Sequence, residues 1–430
     1  MSEAPHRVLV VGGGAAGLDL ATRLSRRSRR HGLAVTLVDR AGSYVWKPRL
    51  HQVAAGTLDT AEEEVTYLAH ARRVGFTYRP GILRALDRAE RTVTLGTVQD
   101  AQGQDEVTTM LPYDTLVLAI GSHADDFGTP GVLEHAAFID SRDQADRFYT
   151  ALRREVIRSL DDPSHRPVSI AVVGAGATGV ELSAELHQAL ELAEGYGLPG
   201  LRERLRITLI EAAPRILSAL PEKVSAEADR VLRRLGVEVL TNSAVSAVDE
   251  TGVTLKDGRR IEAALRVWAA GVRAPSVTRG LDGLSTDRAG RLLVEPTLRT
   301  RDDPRIFALG DCAALIPEGQ QRPLPATAQV AHQEAAHLAG ILPGYLAGGT
   351  LAPFTYKPRG SLVSLGDYDA FGSLGRLGLF PGGFIEGRLA QWSYAALYRQ
   401  YQWVIHHWRV PLVWLAGALH RMAKPRVRLE

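Results

Sequence analysis

Twice along this chain a short apolar run breaks into a glycine turn of the form G-x-G-x-x-G and opens into a helix. The first turn is Gly12-Gly13-Gly14-Ala15-Ala16-Gly17 and the second is Gly174-Ala175-Gly176-Ala177-Thr178-Gly179. Each follows a β-branched run, Arg7–Val11 or Ser169–Val173, and precedes a second run that ends in an acid, Asp39 or Glu211. The first glycine allows the tight turn, the second lets a pyrophosphate approach the backbone, and the third lets helix and strand pack closely. The helix N-terminus then presents free N–H groups and partial positive charge to phosphates. Strand, turn, helix, strand and acid in this order make a much more specific signal than glycines alone. The expected fold is therefore α/β, with two Rossmann-like dinucleotide-binding domains built on largely parallel sheets.

Two such sites in one chain have a chemical meaning. One dinucleotide is expected to be a flavin, held permanently; the other is expected to be a nicotinamide, which comes and goes as a substrate. Asp39 is placed to accept from the adenosine ribose of the first. Glu211 favours a free ribose 2′-hydroxyl over a 2′-phosphate, and so NADH over NADPH. The spacing from Gly179 to Glu211 is long, and Glu191–Leu205, with Gly195, Gly197, Pro199 and Gly200, reads as an insertion after the helix. Phe307–Asp311 reads as a buried strand ending in Gly-Asp, with Asp311 facing a ribityl chain or pyrophosphate. Leu116–Ile120 reads as a buried strand ended by Gly121. Thr92–Leu111 reads as strand pieces around a polar loop at Gln99–Gln104, and Thr241–Leu265 as β-rich.

Composition narrows the chemistry. Lys plus Arg is 51 and Asp plus Glu is 48, so the net charge is 51 − 48 = +3, too balanced for a large nucleic-acid face. The one cysteine, Cys312, cannot supply a disulfide, a CxxC pair or a Cys-based metal centre. Redox chemistry must come from a bound cofactor. The 13 histidines show no H-x-x-x-H or H-E-x-x-H spacing, so no metal is expected. Arg26, Arg27, Arg29 and Arg30 fall in the last turns of the first helix, where cations suit the dipole. Glu62, Glu63 and Glu64 read as a solvated helix start.

The last 80 residues change character. Four of the six tryptophans, Trp392, Trp403, Trp408 and Trp414, lie there, with Arg388, Arg399, Arg409, Arg421, Lys424, Arg426 and Arg428. Tyr394, Leu397, Tyr398, Tyr401, Ile405 and Trp408 recur at helical steps, with Arg399, Gln402, His406 and Arg409 on the other side. The apolar run Val410–Leu419 is about half the ~20 residues that span a bilayer. Amphipathic helices rich in tryptophan and arginine lie on lipid surfaces, so contact with an anionic membrane is expected, and a homodimer through the same segment is compatible with it. Met1–Arg7 is short and polar, so no signal peptide is expected ahead of the first turn.

At this point the chain resembles a known family, the type II NADH:quinone oxidoreductases among two-dinucleotide-binding flavoproteins, in particular the proteobacterial respiratory members. The carrying segments are W-K-P-R-L-H-Q-V-A-A-G at Trp46–Gly56, G-A-G-A-T-G-V-E at Gly174–Glu181 and E-A-A-P-R-I-L at Glu211–Leu217. W-A-A-G-V at Trp268–Val272 and A-Q-V-A-H-Q at Ala328–Gln333 complete the set. The resemblance covers essentially the whole chain. It implies a flavin site at Gly12, Gly13, Gly14, Ala15, Ala16, Gly17, Asp39, Arg40, Lys47, Gly121, Asp311 and Ala328. It implies an NADH site at Gly174, Gly176, Thr178, Gly179, Glu211, Ala270 and Gly271. Gln329 and Gln333 correspond to the glutamines of a quinone pocket. Glu181 corresponds to a glutamate beside the nicotinamide and flavin rings, tuning the rings or moving a proton. Ile120 departs from the family's A-T-G-type turn, where many members carry Thr.

The implied activity is hydride transfer from NADH to FAD, then two electrons to a membrane quinone, with ubiquinone favoured and no proton pumping. The implied location is peripheral, on the cytoplasmic face of the cell membrane. The implied domains are residues 1–122 with 285–350 for FAD, 123–284 for NADH, and 351–430 as an amphipathic helical membrane-anchoring region. Two other readings stay open: a soluble reductase serving a protein acceptor, and a non-catalytic flavoprotein that senses redox state. Sulfide oxidation is disfavoured because it needs cysteines that this chain lacks.

Overall fold

The computed structural model describes residues 4–58, 64–97, 107–162, 167–198, 200–366, 368–373, 384–387, 390, 399, 401–412, 414–415 and 427–428. The strands of the two large parallel sheets are β1 (His6–Val11), β2 (Leu33–Asp39), β3 (Thr77–Pro80), β4 (Thr115–Leu118), β5 (Val168–Val173), β6 (Leu205–Ile210), β7 (Glu238–Leu240), β8 (Leu265–Trp268) and β9 (Ile306–Ala308). Four helices matter for function: α1 (Ala15–His31), α2 (Leu50–Ala55), α3 (Ala177–Gly195) and α4 (Ala328–Leu346).

The chain divides into two compact units. The first comprises Met1–Trp46, Glu64–His123 and Val272–Lys357; the second comprises Lys47–Glu63, Ala124–Gly271 and Pro358–Glu430. The first holds a five-stranded parallel sheet in the order β9-β4-β1-β2-β3. The second holds a four-stranded parallel sheet in the order β8-β5-β6-β7. The shared order is a duplication: β1 and β5 are each central and each run into a glycine turn. Their Val- and Leu-rich sequences lack polar alternation because both faces are buried, as parallel strands require. Each unit also carries a three-stranded antiparallel sheet, formed by Ile82–Asp87, Thr92–Gly96 and Thr108–Pro112 in the first and by Val245–Asp249, Gly252–Leu255 and Arg260–Glu262 in the second. The polar loop expected at Gln99–Gln104 lies outside the described residues, as do Glu62 and Glu63.

The strand expected at Leu116–Ile120 ends earlier, at Leu118, because Ala119 and Ile120 form the turn against the first glycine loop. Helix α3 extends through Gly195, so the insertion begins as a continuation of the helix and ends in the short helix Leu201–Arg204. Residues 351–430 are not uniformly helical. Ser361–Leu365, Asp369–Ser373 and Phe384–Glu386 form an antiparallel sheet, consistent with the β-branched and aromatic residues there. Residues 401–406 are helical, followed by a 3₁₀ turn at His407–Arg409. Tyr394, Leu397, Tyr398, Trp392, Arg388, Arg421, Lys424 and Arg426 lie outside the described residues. Within the helical part, Tyr401 and Ile405 of the expected apolar face are buried within the protein, and Gln402 is buried too, correcting its assignment to the polar side. Its amide oxygen accepts from the Trp414 indole at 3.3 Å, which satisfies it away from water.

Candidate active site

Each unit builds the same cradle. In the first, Gly12 takes φ 103°, and a Cβ there would stand 2.2 Å from the Ala119 carbonyl oxygen. In the second, Gly174 takes φ 101°, and its Cβ would stand 2.8 Å from the Ala269 carbonyl. Neither position admits a side chain. At the third glycines the helix presses on its own turn: a Cβ on Gly17 would sit 1.8 Å from the Gly12 oxygen, and one on Gly179 would sit 2.0 Å from the Gly174 oxygen. The middle glycines differ, since a Cβ on Gly14 or Gly176 would meet nothing within 4 Å. That space lies open ahead of the first-turn N–H groups of α1 and α3, the arrangement that suits an anion. Ala15 is half-buried and Ala16 buried in the first cradle, and Thr178 is exposed at the mouth of the second.

The two acids clamp the two turns alike. Asp39 Oδ2 accepts from the Gly13 N–H at 2.6 Å, and Oδ1 accepts from Ala41 at 2.7 Å. Glu211 Oε2 accepts from the Ala175 N–H and Oε1 from Ala213, both at 2.8 Å. Each carboxylate thus holds the glycine turn and its own loop at once. Each oxygen keeps lone-pair capacity for a ribose hydroxyl. Burial raises the Asp39 pKa against the downward pull of the Ala41 and Gly13 N–H groups. Tyr67, fully buried, donates its hydroxyl to the Gly13 carbonyl at 2.8 Å and fills the space behind the first turn. Arg40 is exposed beside Asp39. A third crossing element completes each cradle. Ala119-Ile120-Gly121 follows β4 and Ala269-Ala270-Gly271 follows β8, and both end in a glycine at φ 70°. Ile120 occupies the place that Ala270 occupies in the second unit, so the turn needs no hydroxyl for its shape.

Replacing Glu211 by glutamine keeps an acceptor for the turn and removes the charge. The ratio of kcat/KM for NADH over NADPH should then fall about tenfold, a change of about 1.4 kcal/mol. Steady-state assays with both nucleotides check it.

In the first unit Asp311 accepts from the Ser122 hydroxyl at 2.7 Å, and Gly310 donates its N–H to Glu334 Oε2 at 2.6 Å. Glu334 is fully buried on α4, and burial pushes its pKa up to about 8. Thr327 caps α4 by accepting from the Val330 N–H at 3.3 Å, which places Ala328 in the first turn. One turn on, Gln333 makes a paired contact with the backbone of Lys357: its amide NH₂ donates at 2.9 Å and its oxygen accepts at 3.0 Å. Gln329 accepts from the Tyr356 hydroxyl at 3.5 Å. Both glutamines therefore hold the segment 356–357 against α4.

In the second unit α3 carries a buried polar file. Glu181 is fully enclosed, accepts from the Ser364 N–H at 3.1 Å and lies 3.5 Å from His51 Nδ1. Burial pushes its pKa up to about 8, with Glu185 one turn on adding to the rise. His51 on α2 is driven down to about 3 by burial and by Arg49, and its Nε2 has no partner. Both members of the pair are thus neutral near neutral pH. Glu185 in turn accepts from Thr57 at 2.6 Å and from the Gln52 amide at 3.0 Å. Lys47, at the start of this segment, pairs with Asp140 at 3.4 Å.

Residues 6–335 match the family model described as pyridine nucleotide-disulphide oxidoreductase. A type II NADH:quinone oxidoreductase of Haemophilus influenzae is 40% identical over 98% of this chain and 99% of its own length. The chain belongs to the type II NADH:quinone oxidoreductases. A Staphylococcus aureus member of the family is 31% identical over 86% of this chain and 90% of its own. The solved structure of NDH2 from Plasmodium falciparum in complex with NADH shares the fold, with TM-score 0.84, 17% identity, and coverage of 98% of this chain and all of that one.

In this oxidoreductase Gly12–Gly17, Asp39, Gly121 and Asp311 lie in the first unit, and Gly174–Gly179, Glu211, Ala270 and Gly271 lie in the second. His51, Gln52, Glu185, Ser364 and Glu334 were not singled out by sequence. Glu185 had a signal, since it stands four residues after Glu181 and so shares its face of a helix, and His51 and Gln52 lie in the Trp46–Gly56 segment. Among the described residues no group of His, Cys, Asp and Glu could hold a metal ion.

Proposed function

We propose that this enzyme oxidises NADH and reduces ubiquinone at the surface of a membrane, on its cytoplasmic side. As a type II NADH:quinone oxidoreductase it moves electrons from NADH through FAD to quinone and pumps no protons. The observation that carries the reading is the duplicated cradle, each copy with its acid clamp, in a chain aligned over nearly its whole length with named members of the family. The residues present fit both nucleotides: two helix N-termini faced by open glycines, with two carboxylates that clamp the turns at the strand ends.

The first cradle, Gly12–Gly17 with Asp39, Gly121 and Asp311, would hold FAD, which when bound supplies the two-electron step between hydride donor and quinone. The second, Gly174, Gly176, Thr178 and Gly179 with Glu211, Ala270 and Gly271, would bind NADH. Glu181 would hold a proton within a site closed to water. Gln329 and Gln333 would shape the quinone end of α4 by fixing the 356–357 segment. Kinetics with short-chain ubiquinone and a short-chain menaquinone analogue test the acceptor: higher kcat/KM on ubiquinone is expected, and the reverse order would overturn that choice.

The lipid surface is supported by the end of the chain. Trp403, Leu412, Trp414 and Leu415 are 52%, 57%, 40% and 59% exposed, and the Arg399 guanidinium stacks 3.5 Å over the Trp414 ring. Apolar side chains clustered with cations suit the interface of an anionic membrane. No helix among the described residues is long and apolar enough to cross one. Serine at Leu412, Trp414 and Leu415 together removes roughly 1.5–3 kcal/mol of buried apolar surface per side chain that inserts fully. Co-sedimentation with anionic vesicles should fall at least about tenfold, while turnover on a short-chain quinone persists. Unchanged co-sedimentation would exclude this face.

A further inference from the structure

Residues 124–131 cross the C-terminal edge of β8 in the second unit, and both ends of this loop are fastened. The Ala124 N–H donates to Asp140 Oδ2 at 2.8 Å, and the Trp268 indole donates to the Asp125 carbonyl at 2.7 Å. At the far end the Val248 N–H donates to the Pro130 carbonyl at 2.9 Å. There Gly131 packs so closely that a Cβ would stand 1.8 Å from the Val248 oxygen. Phe127 stands at the tip. Its backbone is left-handed, at φ 51°, a region that a side chain other than glycine enters only under strain. The Phe127 N–H donates to Asp125 Oδ1 at 3.0 Å, which holds the tip in that shape.

The ring does not use this shape to reach the core. It is 66% exposed, yet its tip touches the turn after β8: a Cβ on Gly271 would lie 2.5 Å from the Phe127 Cζ. A fastened loop, a strained backbone and an aromatic ring left mostly in water meet at one point, beside the residues Ala270 and Gly271. An aromatic ring so placed offers a flat apolar face to a ligand crossing the strand ends.

We propose that Phe127 is a clamp on bound NADH, covering the nucleotide where it passes the Ala270–Gly271 turn and so setting its affinity and the release of NAD⁺. The proposal rests on the reading that the second cradle binds NADH. Phe127 is a binding residue in this account, and the quinone step does not need it.

The test uses the flavin-loaded enzyme under anaerobic conditions, mixed rapidly with increasing NADH while the flavin band is followed. Phe127→Gly removes the ring and is at ease at positive φ, so the fold is expected to survive. Its half-saturating NADH concentration should rise about tenfold, the effect of losing one aromatic contact of about 1.4 kcal/mol. Phe127→Tyr should stay near the parent. Reoxidation of the dithionite-reduced enzyme by short-chain ubiquinone should be the same in all three. A shifted melting temperature with unchanged NADH dependence in Phe127→Gly would overturn the clamp and leave a structural role. A parent enzyme that NADH fails to bleach would overturn the NADH reading itself, and the clamp with it.

Discussion

Alanine at Gly179 is expected to leave the protein yellow and nearly blind to NADH, whereas alanine at Gly17 is expected to yield protein without flavin. The two substitutions are chemically identical and structurally equivalent. Each places a methyl group about 2 Å from a backbone carbonyl oxygen of its own glycine turn, at 2.0 Å in the first case and 1.8 Å in the second. No rotamer relieves a clash between Cβ and backbone, so helix and strand must part. Overpacking of this kind costs about 1–3 kcal/mol. Moving α3 away from β5 shifts the N–H groups that would hold NADH, and KM for NADH should rise roughly 10- to 100-fold. Moving α1 away from β1 does the same to the flavin cradle, and the purified protein should lose its visible band. Absorbance spectra and NADH titrations of both variants check the assignment. If Gly179→Ala lost the flavin while Gly17→Ala kept it, the two cradles would have to be exchanged.

Glutamine at Glu181 should remove a pH limb from turnover and slow the enzyme by about 100-fold near neutrality, within the range that a positioned acid contributes. Glu181 is enclosed by α2, α3 and the strand Ser361–Leu365. The groups facing it are the Ser364 N–H, the neutral His51 and the carboxyl of Glu185, with Arg49 acting on His51. Among the described residues no cation compensates it, so burial dominates and the proton stays on until about pH 8. Turnover of the parent should fall as pH rises through that value, and the Glu181→Gln profile should be flat there. The stability effect has a definite sign. The folded state keeps a proton that the unfolded chain releases near 4.5, so this contribution is fully present below that value and is lost as pH rises to about 8. Glutamine does not titrate. The melting temperature of Glu181→Gln relative to the parent should therefore rise steadily across that window. A parallel pair of curves would mean that Glu181 is ionised in the folded enzyme.

The parts of this molecule that sequence reveals are those whose chemistry is local. A glycine turn, its helix and the acid at the next strand end lie within one βαβ unit, and steric rules alone fix what each position must be. Asp39 and Glu211 could thus be placed before any coordinate was known, down to the strand ends they occupy. The polar file around Glu181 could not. His51 and Glu181 meet because α2 packs on α3, and 130 residues separate them, with nothing in the spacing of either to announce the other. Phe127 is silent for the same reason: its meaning comes from Gly271, in the turn after β8, more than 140 residues further along the chain. Gln402 shows a further limit. Helical periodicity says which residues share a face, but which faces are covered is decided by tertiary packing, here by Trp414. The segment Ser361–Glu386 adds a β-sheet where tryptophans and arginines drew attention to helices further on.

The most direct test of the whole account is a two-step anaerobic titration of the purified enzyme. NADH is added until the visible flavin band stops changing, and a short-chain ubiquinone is then added without admitting oxygen. The account predicts bleaching by one equivalent of NADH and full recovery of the band with one equivalent of quinone. Bleaching without recovery would contradict the quinone as acceptor, and a protein that carries no flavin band would contradict the reading of the first cradle.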